Sequence, residues 1–258
     1  MAELPFDLFV VLIAAFGAGL IDAMVGGGGL IQLPALFAFY PQVAPPALLG
    51  TSKLAGIFGT SSAVWRYARR VAIPWRALLP LGMAVLAASL AGAVLATRVS
   101  PDVFRPLVPI MLVAVLIYTL WQKDLCSDHS PRAFAGRHHW LGAAAIAAIG
   151  FYDGFFGPGT GSFLMLVFVR CYGYDFLHAS ASARVLNVAA NGAALLYFAS
   201  RGYVLWQIGA AMAVCNIAGS ILGTRLALRG GSMLVRKVFI AVVALLIART
   251  AWVAVMGS

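Results

Sequence analysis

Charge is what this sequence of 258 residues has least of. Eighteen Lys and Arg with eight Asp and Glu make up only 10% of the chain, against roughly 25% in soluble domains. With 62% hydrophobic residues and a mean hydropathy of +0.95, that deficit excludes a soluble enzyme, a nucleic-acid-binding domain and a disordered scaffold. Cysteine is scarce too. Cys126, Cys171 and Cys215 are far apart and odd in number, which argues against a disulfide framework and against a thiolate metal site. The four histidines give no metal spacing either: His129, His138 and His139 fall in a polar stretch, and His178 is isolated. Met1–Asp7 holds acids but no Lys or Arg, so the basic start of a cleaved signal peptide is missing and the first hydrophobic segment is expected to stay. What remains is a polytopic membrane protein whose solvent is lipid.

Crossing the hydrocarbon takes about 20 residues of helix, and seven stretches qualify: Phe6–Met24, Ala47–Val64, Ala77–Thr97, Pro106–Trp121, Ala183–Ala199, Ile208–Leu228 and Val238–Met256. Three apolar pieces are too short, Leu30–Tyr40, Trp140–Tyr152 and Ser162–Cys171. They flank two glycine runs, Gly26–Gly29 and Gly157–Gly161. Short, glycine-broken segments at corresponding places in two halves are the sequence form of discontinuous helices, which carry the binding site in transporters.

Shifting the chain by 131 residues against itself, without gaps, superposes its scarce residues. Gly19 meets Gly150, Asp22 meets Asp153, Gly26 meets Gly157, Lys53 meets Arg184, Arg70 meets Arg201, Trp75 meets Trp206 and Arg98 meets Arg229. Alanine and leucine match by chance in apolar chains; charges and tryptophans do so far less. The expected architecture is all-α, with two inverted structural repeats, each a glycine-broken hairpin of short helices plus three spanning helices. The first repeat covers 1–122, a cytoplasmic linker 123–139, and the second repeat 140–258.

Basic residues set the orientation. If each broken segment is a hairpin, loops 65–76, 122–139, 170–182 and 225–237 share one face and hold 12 Lys and Arg, against three on the other face. If each crosses once, the split is eight against seven. The positive-inside rule favours the hairpins. It places both termini outside, on the periplasmic side of the inner membrane, and gives each half an odd number of crossings, hence the inversion. Trp65, Trp75, Trp140 and Trp206 sit near segment ends, as anchors at the two membrane surfaces do.

The chemistry-bearing residues follow from their cost in lipid. An intramembrane cation such as Lys53 or Arg184 costs about 2.5–3.5 kcal/mol on insertion scales, and faces a cavity or a counter-ion. One reading is an anion site between the halves; the other is a structural salt bridge to Asp22 or Asp153. The glycine runs each precede a short helix, so the amides around Gly26, Gly27, Gly28, Gly157, Gly159 and Thr160 present the positive end of a helix to an anion. No Walker lysine follows either run, which argues against a nucleotide loop. Glycines also allow close helix crossing. Asp22 and Asp153 either carry protons or cap free amides and neutralise the cations. Thr51, Ser52, Ser180, Ser182, Asn187 and Asn191 add hydroxyl and amide groups near the basic pair, for ligand or for interhelical hydrogen bonds. Ser162 with His178, or the two aspartates, lack the second element a hydrolase needs, so no catalytic residue, cofactor or metal is expected. The expected partners are a small anion, membrane lipid and, for oligomerisation, further copies of the chain.

These residues carry a resemblance. The stretches Gly19–Gly29, Gly50-Thr51-Ser52-Lys53-Leu54, the Arg66–Trp75 basic loop and the echo Asp153–Ser162 resemble the TauE/SafE, or sulfite exporter, family over nearly the whole length. The resemblance implies two homologous halves and export of sulfite, sulfoacetate or a related organosulfonate. Arg184, standing where the first half has lysine, departs from a lysine-specific pattern.

Overall fold

The computed structural model describes residues 4–100, 130–132, 134 and 136–230. Within them the chain forms eight helices and no strand. They are α1 (Leu4–Val25), α2 (Gly29–Phe39), α3 (Pro45–Ala68), α4 (Trp75–Ala96), α5 (Gly136–Phe155), α6 (Thr160–Tyr172) and α7 (Phe176–Ser200), followed by α8 (Trp206–Gly230). The expected spans Pro106–Trp121 and Val238–Met256 lie outside the described residues.

Adding 131 to the first residues of α2, α3 and α4 gives the first residues of α6, α7 and α8. Three helices, Phe6–Val25, Trp75–Ala96 and Trp206–Gly230, are long and apolar enough to cross a membrane. The long helices α3 and α7 are more polar because they are interior: each buries most of its length, Lys53 and Arg184 included, and meets protein rather than lipid. Phe6, Phe9, Leu79, Met83 and Val214 on α1, α4 and α8 instead leave large apolar side chains exposed, as surfaces facing acyl chains require.

Only one arm of each broken hairpin is short. The polar residues Gly136-Arg137-His138-His139 open α5 instead of ending the linker, so that helix reaches 20 residues, whereas α2 and α6 have 11 and 13. His139 is held there by the Tyr172 hydroxyl at 3.2 Å and by ring contacts with Phe134 and Tyr172. The helix therefore continues past the apolar stretch that hydropathy alone marks out.

The two halves are interlocked. Ser89 on α4 donates to the Ala190 carbonyl of α7 (2.8 Å), and its repeat mate Ser220 on α8 donates to the Gly59 carbonyl of α3 (2.6 Å). Gly92 packs on the Phe151 carbonyl, and Gly223 packs on the Leu20 carbonyl. In each pair both partners move by 131 residues in opposite senses, so α4 lies on the second half just as α8 lies on the first. Small residues at these crossings let backbones touch, which is how helices associate where lipid removes the hydrophobic drive. The cores repeat likewise: Leu33, Phe156, Ala194 and Phe198 fall in one cluster, and their mates Leu164, Val25, Ala63 and Tyr67 in another.

Candidate functional site

The glycine runs meet at the centre of the molecule. After α1, Gly26 turns the chain with φ +84°, and after α5 its mate Gly157 does so with φ +99°. Both lie in the left-handed region that a Cβ disfavours. Space is short as well. A Cβ on Gly26 would stand 2.3 Å from the Gly161 carbonyl carbon, and one on Gly157 would stand 2.7 Å from Lys53 Nζ. Ser162 ties the turns together, its amide donating to the Gly26 carbonyl (3.2 Å) and its hydroxyl to the Val25 carbonyl (2.8 Å).

Beside the crossing lies a cavity of about 50 Å³, walled by Asp22, Gly26, Gly28, Gly29, Gln32, Ser52, Lys53, Gly56, Thr60, Asp153, Gly157, Asn187, Asn191 and Asn216, with Leu33, Leu49, Phe156 and Pro158 among the remaining walls. That volume suits a small polyatomic ion or a few waters; drug-sized ligands occupy about 300–1,000 Å³.

Lys53, 5% exposed, donates to Asp153 Oδ2 at 2.6 Å, and Asp153 is 1% exposed. A buried pair at this distance trades Coulomb attraction against a desolvation cost of several kcal/mol per ion, so removing one partner is far worse than removing both. Asp22 is treated differently. Its carboxylate accepts from the Thr60 hydroxyl at 3.0 Å and from the Gly28 amide, which caps the glycine turn. Arg184 reaches the first half through backbone, donating to the Asp22 carbonyl and to Ser180, with its guanidinium over the Tyr67 ring at 5.2 Å. Each cation thus crosses to the other half at the aspartate's position.

Of the residues singled out from sequence, Lys53, Asp22, Asp153, Gly26, Gly28, Gly157, Ser52, Asn187 and Asn191 wall the cavity. Arg184, Gly27, Gly159, Thr51, Thr160, Ser180 and Ser182 do not. Thr51 donates to the Ala47 carbonyl and accepts from the Leu205 amide, and Thr160 donates to the Gly157 carbonyl; both serve local structure. Ser180 donates to the Met24 carbonyl and Ser182 is buried.

Gln32 and Asn216 were not singled out from sequence. Gln32 Nε2 donates to the Ser52 hydroxyl (3.0 Å) and carbonyl (2.9 Å), while Asn216 Nδ2 donates to Gln32 Oε1 (2.9 Å). Their repeat mates are Phe163 and Val85, so this amide network has no counterpart in the other half. A lone amide inside an otherwise apolar helix is the signal that could have found them.

The cavity is built by both halves: the mated pairs Asp22 and Asp153, Gly26 and Gly157, Gly56 and Asn187, and Thr60 and Asn191 all wall it, whereas of the two cations only Lys53 does.

The family model described as sulfite exporter TauE/SafE matches residues 11–250. The chain is 37% identical over 248 residues to a probable membrane transporter protein, ORF9, of Sinorhizobium sp, covering 94% of this chain and 92% of that one. It is 36% identical to the probable membrane transporter protein YfcA of Escherichia coli K12, covering 95% and 90%. A probable membrane transporter protein of Haemophilus influenzae is 32% identical, with 92% of each chain covered. No solved structure matches.

Proposed function

The chain belongs to the sulfite exporter TauE/SafE family and is an integral membrane transporter; from that premise we propose that it carries a small sulfur oxyanion, sulfite or an organosulfonate such as sulfoacetate, out of the cell through the cavity at the glycine crossing. The observation that carries this reading is a buried ammonium, Lys53, at the wall of a cavity sized for a small ion and rich in amide and hydroxyl groups. Ser52, Asn187 and Asn216 add hydroxyl and amide donors to the Lys53 ammonium for an oxyanion with three or more oxygens. The glycine turns let such an oxygen approach backbone closely.

The driving force needs no ATP. An interior-negative potential contributes about 2.3 kcal/mol per charge per 100 mV, so a doubly charged anion moving outward gains about 4.6 kcal/mol. Alternating access by one repeat moving against the other is the mechanism such a pair of repeats would use. In the form described, Lys53 walls the cavity and Arg184 does not; an exchange of packing between the two halves would bring Arg184, whose buried Nε has no hydrogen-bond partner among the described residues, to a cavity in place of Lys53.

One observation favours a second reading, movement coupled to protons. Lys53 already has a partner, and an anion takes that ammonium only if Asp153 swings away or accepts a proton. A carboxyl that is protonated when the anion binds, and ionised when it leaves, moves one proton with each anion.

Flux into proteoliposomes under an imposed potential decides between these readings, with sulfite, thiosulfate, sulfoacetate, taurine, sulfate and chloride offered separately and the potential runs repeated with a pH step. Saturable, voltage-driven movement of one sulfur oxyanion, unchanged by the pH step, supports simple export. Movement that requires the pH step supports coupling. Movement of none by folded protein overturns the substrate class.

A further inference from the structure

Away from the central cavity, α3 and α8 end beside one another. Their last turns and the following residues form an open pocket of about 590 Å³ lined by Arg66, Arg69, Arg70, Arg225 and Arg229, with Trp65, Leu177 and Leu228. Five arginines line it, and among the described residues no carboxylate does. Such a cluster repels itself unless an anion occupies it. Arg69 stacks on Trp65 at 3.7 Å, and Trp65 is 54% exposed. The buried Nε of Arg66 has no hydrogen-bond partner among the described residues.

The simplest structural account of basic residues at helix C-termini is that they complement the negative end of the helix dipole. The second half tests that account internally. A smaller pocket of about 340 Å³ is lined by Val94, Thr97, Arg98, Tyr197, Arg201 and Tyr203. The first five are the repeat mates of Arg225, Leu228, Arg229, Arg66 and Arg70. The same helix ends, in the same packing, manage with two arginines. Ser200 stands at the position of Arg69. Neither the fold nor the dipole therefore calls for Arg66, Arg69 and Arg225.

We propose that the five-arginine pocket binds the phosphate headgroup of an anionic phospholipid. Guanidinium forks match phosphate oxygens in pairs. Trp65, Leu177 and Leu228 offer apolar contact to the glycerol and upper acyl chain, which a free inorganic anion would not use. The pocket lies on the face that the positive-inside rule assigns to the cytoplasm, and basic pockets between helices on that side recognise anionic headgroups. A lipid held across the α3 and α8 ends would bridge the two halves. This inference rests on the membrane setting and is independent of which anion the central cavity carries.

The test uses purified full-length protein in detergent, with lipid retention measured by native mass spectrometry for phosphatidylglycerol and phosphatidylcholine at equal concentration. Wild type should retain phosphatidylglycerol in preference. Arg69→Gln/Arg225→Gln/Arg229→Gln should weaken that retention on the order of 100-fold, and Arg98→Gln/Arg201→Gln should leave it unchanged. Equal retention of the two lipids by wild type overturns the proposal, as does undiminished retention by the triple variant. Should the triple variant not fold, wild type alone decides. Displacement of phosphatidylglycerol by millimolar inorganic phosphate would assign the pocket to soluble anions instead, and persistence of the lipid would confirm it.

Discussion

Lys53 and Arg184 occupy the same position in the two halves and meet different partners. Lys53 faces a carboxylate and a cavity; Arg184 faces a carbonyl, a hydroxyl and a ring. Lys53→Gln should destabilise the protein by about 3–5 kcal/mol, because Asp153 is left buried without its partner, whereas Lys53→Gln/Asp153→Asn should restore most of the loss. Thermal unfolding in detergent of Lys53→Gln, Asp153→Asn and the double variant measures this; destabilisation of the double variant by the sum of the two single changes would mean the pair is not coupled. Scarcity made these four charges legible in the sequence, since an ion in an apolar helix needs a reason. Their pairing was not legible. The sequence left each aspartate open to neutralising a cation or capping an amide, and the structure gives one task to Asp153 and the other to Asp22. Gln32 and Asn216 escaped for a different reason: their mates are Phe163 and Val85, so the repeat that drew attention to Lys53 passed over them.

Helices α2 and α6 to α4 and α8 follow the 131-residue register closely, and their positions were legible because hydropathy and glycine breaks mark them. The length of α5 was not, since its first turn is polar and gains its place by packing on Tyr172. The crossing of α4 onto α7, and of α8 onto α3, also lies beyond hydropathy, which says which faces are apolar but not which helix covers them. Ser89→Ala and Ser220→Ala remove mated bonds in similar burial, and each should cost about 1 kcal/mol, nearly equally. Unfolding of the two variants side by side checks this; a large cost for one and none for the other would break the equivalence of the halves. Gly157→Ala should be much worse than either. It forces a Cβ into left-handed backbone against Lys53, and the expected result is loss of transport together with a lower Tm.

Across the whole molecule, inverted repeats, which the basic-residue count leads one to expect, would put mated residues on opposed faces. Arg70 and Arg201 are mates and both are exposed. In a cysteine-free background, Arg70→Cys should react with an impermeant maleimide only from the cytoplasmic side and Arg201→Cys only from the outer side. Labelling of both from one side would rule out inversion. The cavity itself was not legible in the sequence, because its walls come from α1, α2, α3, α5, α6, α7 and α8 together. The central claim is that a small sulfur oxyanion passes through that cavity by way of Lys53. Its most direct test is sulfite and sulfoacetate flux under an imposed potential in proteoliposomes holding wild type or the refolded charge-neutral variant Lys53→Gln/Asp153→Asn. Saturable flux of one of these anions in wild type, lost in a variant of normal stability, is the predicted result; equal flux in both would place the path elsewhere.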